Sequence, residues 1–204
     1  MPELLIATGN PGKAAEFELL LAGSGWEAVT PAAIGLDPVA IVETGRSYLE
    51  NAVTKAVRHA EASGLPSLGD DSGLEVDALE GRPGVLSARY GGARAPGAAE
   101  RNALLLDELR GVPPGRRGAR FRAVVALALP GGRAWVREGA VEGRIASAPR
   151  GAEGFGYDPL FELPDGRTMA ELGEEKHDFS HRARAVRALL PLLQRLSSES
   201  VSRA

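Results

Sequence analysis

The sequence predicts an α/β fold built on a mixed sheet, and three observations carry that prediction. The chain opens as strand, glycine turn and helix: the apolar run Leu4 to Ala7 enters TGNPGK, after which Phe17, Leu20 and Leu21 recur at helical spacing. Helical periods return at Ser47 to Ala62 and Ala98 to Arg110, separated by short apolar runs. RFRAVVALAL and RAWVREGAVEGRIA, joined by Pro130, Gly131 and Gly132, read as a hairpin, so the sheet contains antiparallel as well as parallel strands.

Taken in order, Ala14 to Ala22 reads as the first helix and Trp26 to Thr30 as a second strand. SYLENAVTKAVRHAEA is a helix stopped by Gly64 and Pro66. Leu65 to Leu68 leads into GDDSG, a turn-rich acidic stretch, and LEVDALEGRPGVLSARYGG then reads as a short strand, a Gly/Pro turn and a further extended piece. GGARAPG and GVPPGRRG are surface loops. Ser180 to Leu196 is a basic amphipathic helix, and residues 197–204, SSESVSRA, read as a frayed tail after a single domain spanning 1–196.

Composition removes several chemistries. The chain of 204 residues is 44% hydrophobic and 25% charged, enough to bury a core without covalent staples. It has no cysteine, so disulfides, thiolate metal sites and cysteine nucleophiles are excluded. A net charge of -3 provides no global basic field, so duplex nucleic acid is not an expected partner and any polyanion must be held by a local cluster. With no leader-like start and no apolar window of membrane length, the expectation is a soluble, cytoplasmic protein without a membrane partner.

Four stretches carry candidate chemistry. In TGNPGK, backbone N–H groups at a helix start and the charge of Lys13 suit an anion. The spacing is not Walker A: two residues separate Gly9 from Gly12, and Ala14 follows Lys13 where Ser or Thr would stand. The same residues also make an ordinary strand-to-helix corner. In GDDSG, adjacent Asp70 and Asp71 suit a hard divalent cation or a proton acceptor, and Ser72 adds a hydroxyl; a solvated acidic turn has the same composition. If a strand runs through both aspartates, they point to opposite faces. In GFGYDP, Phe155 and Tyr157 can stack on a planar base or fill a core, and Asp158 can hold a ligand or its own loop. In EEKHDFSHR, His181 and Arg182 begin a helix, where cationic groups oppose the dipole unless an anion or acceptor lies nearby. His59, His177 and His181 lack a metal-ligand spacing, and no serine sits in a G-x-S-x-G elbow.

Together, TGNPGK, SYLENAVTKA, GDDSGLEVDALEGRPGVLSARYGG, GFGYDPLF and EEKHDFSHR, in this order from Thr8 to Arg182, resemble the inosine triphosphate pyrophosphatase family, the XTP/dITP diphosphatases. The resemblance implies an elongated mixed central sheet flanked by helices, two lobes with a substrate cleft between them, and a homodimer. It implies hydrolysis of ITP, dITP and XTP to the monophosphate and pyrophosphate with a divalent cation, normally Mg2+. By motif, Asp71 corresponds to the proton acceptor and metal ligand. Thr8, Gly9, Asn10, Pro11, Gly12, Lys13, Ser72, Phe155, Gly156, Tyr157, Asp158, Lys176, His181 and Arg182 correspond to substrate contacts. One departure stands out: where some relatives carry two glutamates before the Thr-Gly that precedes the ENA helix, this chain reads Val42, Glu43, Thr44, Gly45. Glu43, Asp70, Asp37 or water then fills the second metal position. The competing reading is a nucleotide-binding or sensing module without turnover.

Overall fold

The computed structural model describes residues 1–37, 39 and 46–201; Glu43 lies outside the described residues. Strand β1 (Glu3–Ile6) pairs in parallel with β2 (Glu27–Val29), Leu4 opposite Ala28, and with β3 (Ser67–Val76), Leu5 opposite Ser67. Parallel neighbours need crossover connections. Helices α1 (Pro11–Leu20) and α2 (Tyr48–Ser63) lie in those connections.

Helix α1 starts three residues earlier than the hydrophobic period indicates, because its start is set by capping. The Asn10 side chain accepts a hydrogen bond from the Lys13 amide at 3.2 Å, and Pro11 occupies the first helical position, where its missing N–H costs nothing. Helix α2 is bounded as the sequence indicates: Ser47 Oγ accepts from the Glu50 amide at 3.2 Å, and Gly64 ends the helix in the left-handed conformation at φ 73°.

Two strands, β4 (Gly118–Ala128) and β5 (Ala134–Ile145), are joined by a tight turn in which Leu129 N–H donates to Arg133 C=O at 2.9 Å. β5 pairs antiparallel with β6 (Phe161–Glu162), Ile145 opposite Phe161. The sheet order is β2-β1-β3-β4-β5-β6, which confirms a mixed sheet. The remaining helices are α3 (Ala98–Glu108), α4 (Lys176–Phe179) and α5 (His181–Val201).

Three segments differ from the sequence reading. GDDSG is not a turn; β3 passes straight through it, and all but Ser72 of those five residues are buried. The extended piece expected after the Gly/Pro turn is a 3-10 segment, Gly84–Arg89, in which Ser87 Oγ donates to Gly84 C=O at 2.6 Å and accepts from Leu74 N–H at 2.9 Å. Helix α5 continues to Val201, into the segment read as tail; the hydroxyls of Ser197 and Ser198 each donate to Gln194 C=O at 2.9 Å.

The chain forms two compact units. Unit 1 comprises residues 1–71, 123–139 and 181–204, and unit 2 residues 72–122 and 140–180. In unit 1, Leu4, Ile6 and Leu68 of the sheet pack with Phe17 of α1 and with Val186 and Leu189 of α5. Trp26 Nε1 donates to Leu193 C=O at 2.8 Å, so its buried polar atom is satisfied. The core of unit 2 contains Leu74, Leu105, Val141, Leu160 and the ring pair Phe121 and Phe161, with centroids 4.5 Å apart.

Candidate active site

Because β3 is extended through Asp70 and Asp71, the two carboxylates leave the sheet on opposite faces. Leu68 and Asp70 face α1 and α5. Gly69 and Asp71 face α2, and the sequence is shaped for that approach: a Cβ on Gly69 would collide with Ala52 C=O and sit 2.6 Å from Ala56 N. Glycine therefore lets one turn of α2 rest on the strand and carries Asn51 and Lys55 to Asp71.

On the first face, Lys13 Nζ lies 2.6 Å from Asp70 Oδ2. Arg182 grips both oxygens of the same carboxylate, with Nε at 3.3 Å and Nη2 at 3.1 Å, and its Nη1 pairs with Glu16. Glu16, Arg182 and Asp70 are all buried, so the group alternates charge from Glu16 to Lys13 and sums to zero. Burial alone would raise the pKa of Asp70, but the charges and hydrogen bonds of Arg182 and Lys13 outweigh it and hold the carboxyl well below the usual range. Burial disfavours the charged Arg182 too, yet Asp70 and Glu16 keep it protonated. The approach of α5 rests on Gly139 of β5, where a Cβ would meet His181 C=O and lie 2.8 Å from Ala185 N.

The opposite face is sparer. Asp71 Oδ2 accepts from Asn51 Nδ2 at 2.8 Å, and Lys55 Nζ stands 3.4 Å from Oδ1 and 3.2 Å from Asp70 C=O. Burial pushes the Asp71 carboxyl up, while Lys55 and the Asn51 hydrogen bond limit the rise. Adjacent residues of one strand are thus tuned in opposite directions, one fixed as an ion-pair partner and one moved toward proton acceptance.

In the turn that leads into α1, Thr8 Oγ1 accepts from Asn10 N–H at 3.1 Å, and Asn10 Oδ1 takes Lys13 N–H. With no N–H on Pro11, Gly12 is the first-turn amide that no described hydrogen bond uses.

In unit 2 the GFGYDP loop is fixed from within. Asp158 Oδ2 accepts from Phe155 N–H at 2.9 Å and from Lys176 Nζ at 2.8 Å, and Lys176 Nζ stands 4.8 Å from the centre of the Phe155 ring. Gly154 has φ +77° with the Asp158 carboxylate packed where a Cβ would be, so only glycine serves there. Phe155 is half-buried. Tyr157 belongs to the core: it is buried, and its hydroxyl donates to Ser87 C=O at 3.0 Å. Of the two aromatics suited to stacking, Phe155 alone is not fully buried.

The structure therefore gathers Thr8 to Lys13, Asp71, His181 and Arg182 into unit 1, and Phe155 to Asp158 with Lys176 into unit 2, where Ser72 also falls. Glu43 lies outside the described residues. Sequence reading assigned no role to Glu16, Asn51 or Lys55. Asn51 and Lys55 stand four apart in α2, one helical face, and that spacing beside an acidic strand was the available signal. Glu16 carried none, since a lone glutamate on a helix ordinarily faces water. Among the described residues no group of three or more His, Asp or Glu is placed to hold a metal. Asp71 offers a hard oxygen donor, whereas Asp70 is committed to two cations.

The sequence and the fold are similar to those of known proteins. A dITP/XTP pyrophosphatase of Thermus thermophilus is 53% identical over 190 residues, 92% of this chain and 90% of its own length. A HAM1 protein structure from Coxiella burnetii superposes with a TM-score of 0.84 at 39% identity, covering 96% of this chain and 100% of that one. A nucleoside-triphosphatase, dITP/XTP pyrophosphatase, from Mycobacterium abscessus gives 0.71 at 45% identity, covering 94% and 99%. The Ham1 family model matches residues 4–192, which include every motif from the glycine turn to the start of α5, and the chain belongs to that family.

Proposed function

We propose that this protein hydrolyses the purine nucleoside triphosphates ITP, dITP and XTP to the monophosphate and pyrophosphate, removing non-standard purines from the nucleotide pool. The observation that carries the reading is the divided aspartate pair: a proton acceptor, Asp71, beside a carboxylate that holds Lys13. The dITP/XTP pyrophosphatase names borne by the Thermus and Mycobacterium relatives support the substrate class.

Release of pyrophosphate requires cleavage of the α-β anhydride, and in this reading water attacks the α-phosphorus. Asp71, raised above an ordinary carboxyl by burial, orients that water and accepts its proton, and Asn51 holds the carboxylate in place. Lys13 and the Gly12 amide take up charge on the phosphate oxygens. Asp71 would hold Mg2+ through its hard carboxylate oxygens, with Glu43 the second protein ligand that the family resemblance suggests. When bound, the cation neutralises the phosphates and acidifies water. Phe155 stacks on the base, with Lys176 and Asp158 fixing the ring. His181 is the proposed contact at the start of α5, while Arg182, buried with its guanidinium on Asp70 and Glu16, acts from behind by holding Asp70. A 6-keto oxygen accepts hydrogen bonds where the 6-amino group of adenine donates them, so donors facing that edge reject ATP. Homodimeric assembly and cytoplasmic location belong to the same proposal; among the described residues no helix is long and apolar enough to cross a membrane.

Incubation of the protein with ITP, dITP, XTP, ATP and GTP in the presence of Mg2+, followed by product identification, tests this reading. Monophosphate and pyrophosphate in equal amounts from the first three substrates are expected. Orthophosphate as the product, or binding without turnover, contradicts it.

A further inference from the structure

We propose that Asp70 is the counter-anion of Lys13: it holds the ammonium in the free protein and reclaims it as pyrophosphate leaves, so that it weakens product binding. This inference rests on the phosphate-binding role given to Lys13 above. Asp70 Oδ2 is 2.6 Å from Lys13 Nζ, yet the carboxylate owes its position to another residue, since Arg182 holds both of its oxygens and is itself held by Glu16. The Asp70 side chain is 1% exposed and that of Lys13 15%, so the carboxylate is the more deeply buried partner and the lysine side chain retains some access to solvent. Without Lys13, the cluster of Glu16, Arg182 and Asp70 carries one net negative charge; Lys13 neutralises it.

Two effects oppose each other when a phosphate group arrives. A pre-held Lys13 saves the cost of ordering one long side chain. Against this, a buried carboxylate repels a multiply charged ligand and competes for the same ammonium, and that term grows with the ligand's charge in a partly desolvated place. For pyrophosphate the second effect is the larger. Asp70 is therefore a positioning residue whose net action is to limit affinity for the departing anion.

Calorimetric titration with inorganic pyrophosphate, without added metal, tests this on the wild type, Asp70→Asn, Lys13→Ala and the double variant. Arg182 keeps Glu16 and the amide oxygen of the asparagine as partners, and Asp70→Ser, measured in parallel, removes the same charge with less bulk. The neutral variants are expected to bind pyrophosphate about tenfold more tightly, about 1.4 kcal/mol. In the Lys13→Ala background the gain shrinks by about threefold or more. In ITP hydrolysis, Asp70→Asn lowers KM and kcat together, whereas structural damage raises KM. Unchanged or weaker pyrophosphate binding, no binding by wild type and variants alike, or a gain undiminished in the Lys13→Ala background overturns the proposal. Failure of the wild type to release pyrophosphate from ITP would instead refute the proposed activity, and the binding titration decides the role of Asp70 either way.

Discussion

Asp70 and Asp71 show how little chemistry residue type fixes by itself. The two share a side chain, a strand and burial, and they differ in which helices meet them. Asp71 is the proposed proton acceptor, so Asp71→Asn, which keeps the Asn51 contact but removes the base, should lower kcat for ITP by about 10² to 10⁴-fold. Binding of ITP should survive within about tenfold, because the phosphate contacts lie elsewhere. Turnover near that of the wild type in a folded variant would remove Asp71 from the mechanism. Asp70 makes a separate, thermodynamic prediction. In the unfolded chain an aspartate titrates near 3.9. Burial opposes ionisation in the folded state, but Arg182 and Lys13 hold the value lower, so between the two values the unfolded chain carries a proton that the folded chain refuses. The stabilisation is fully present above the unfolded value and drains away as pH falls through the folded one. Urea unfolding followed from neutral pH into that window should show a shallower acid loss for Asp70→Asn than for the wild type. Parallel acid limbs would mean the ion pairs add no net stability. At this scale the motifs named most of the polar groups, but not their partners. Glu16 acquires its role only through contacts made across the fold, which no local spacing encodes.

The elements explain why those contacts form. Gly, Asp and Ser dominate turns, so composition alone predicts an acidic turn where β3 continues. Here Gly69 serves close packing instead, admitting the backbone of α2 where any side chain would collide. Gly69→Ala should therefore push α2 off the strand and cost about 1–3 kcal/mol of stability. Activity should fall further than stability, since Asn51 and Lys55 move with the helix. Normal unfolding and normal kcat/KM in that variant would show that the helix has room to spare. Capped elements were legible from sequence: Ser47 and Gly64 bound α2 where expected, and the Pro130 to Gly132 turn joins β4 to β5. Elements lacking such punctuation were not. The start of α1 depends on the Asn10 cap ahead of its apolar period, and the Gly84–Arg89 segment is held by Ser87 hydrogen bonds that its alternating pattern does not reveal.

For the whole molecule, the order of the motifs along the chain conveyed more than any single one. TGNPGK alone is an ordinary corner as readily as an anion site, and GDDSG alone is an acidic turn. In one chain they become Lys13 and Asp70 in contact, with Asp71 on the reverse face. The mixed sheet was legible from one hairpin and one strand-turn-helix unit, because turn length settles strand direction. What composition and spacing could not supply was the division of labour between the aspartates. The central claim is that this division serves water attack at the α-phosphorus. Hydrolysis of ITP in 18O-enriched water with Mg2+, with mass analysis of both products, tests it most directly. The account predicts one heavy oxygen in the inosine monophosphate and none in the pyrophosphate. Label in pyrophosphate or orthophosphate, with an unlabelled monophosphate, would contradict it.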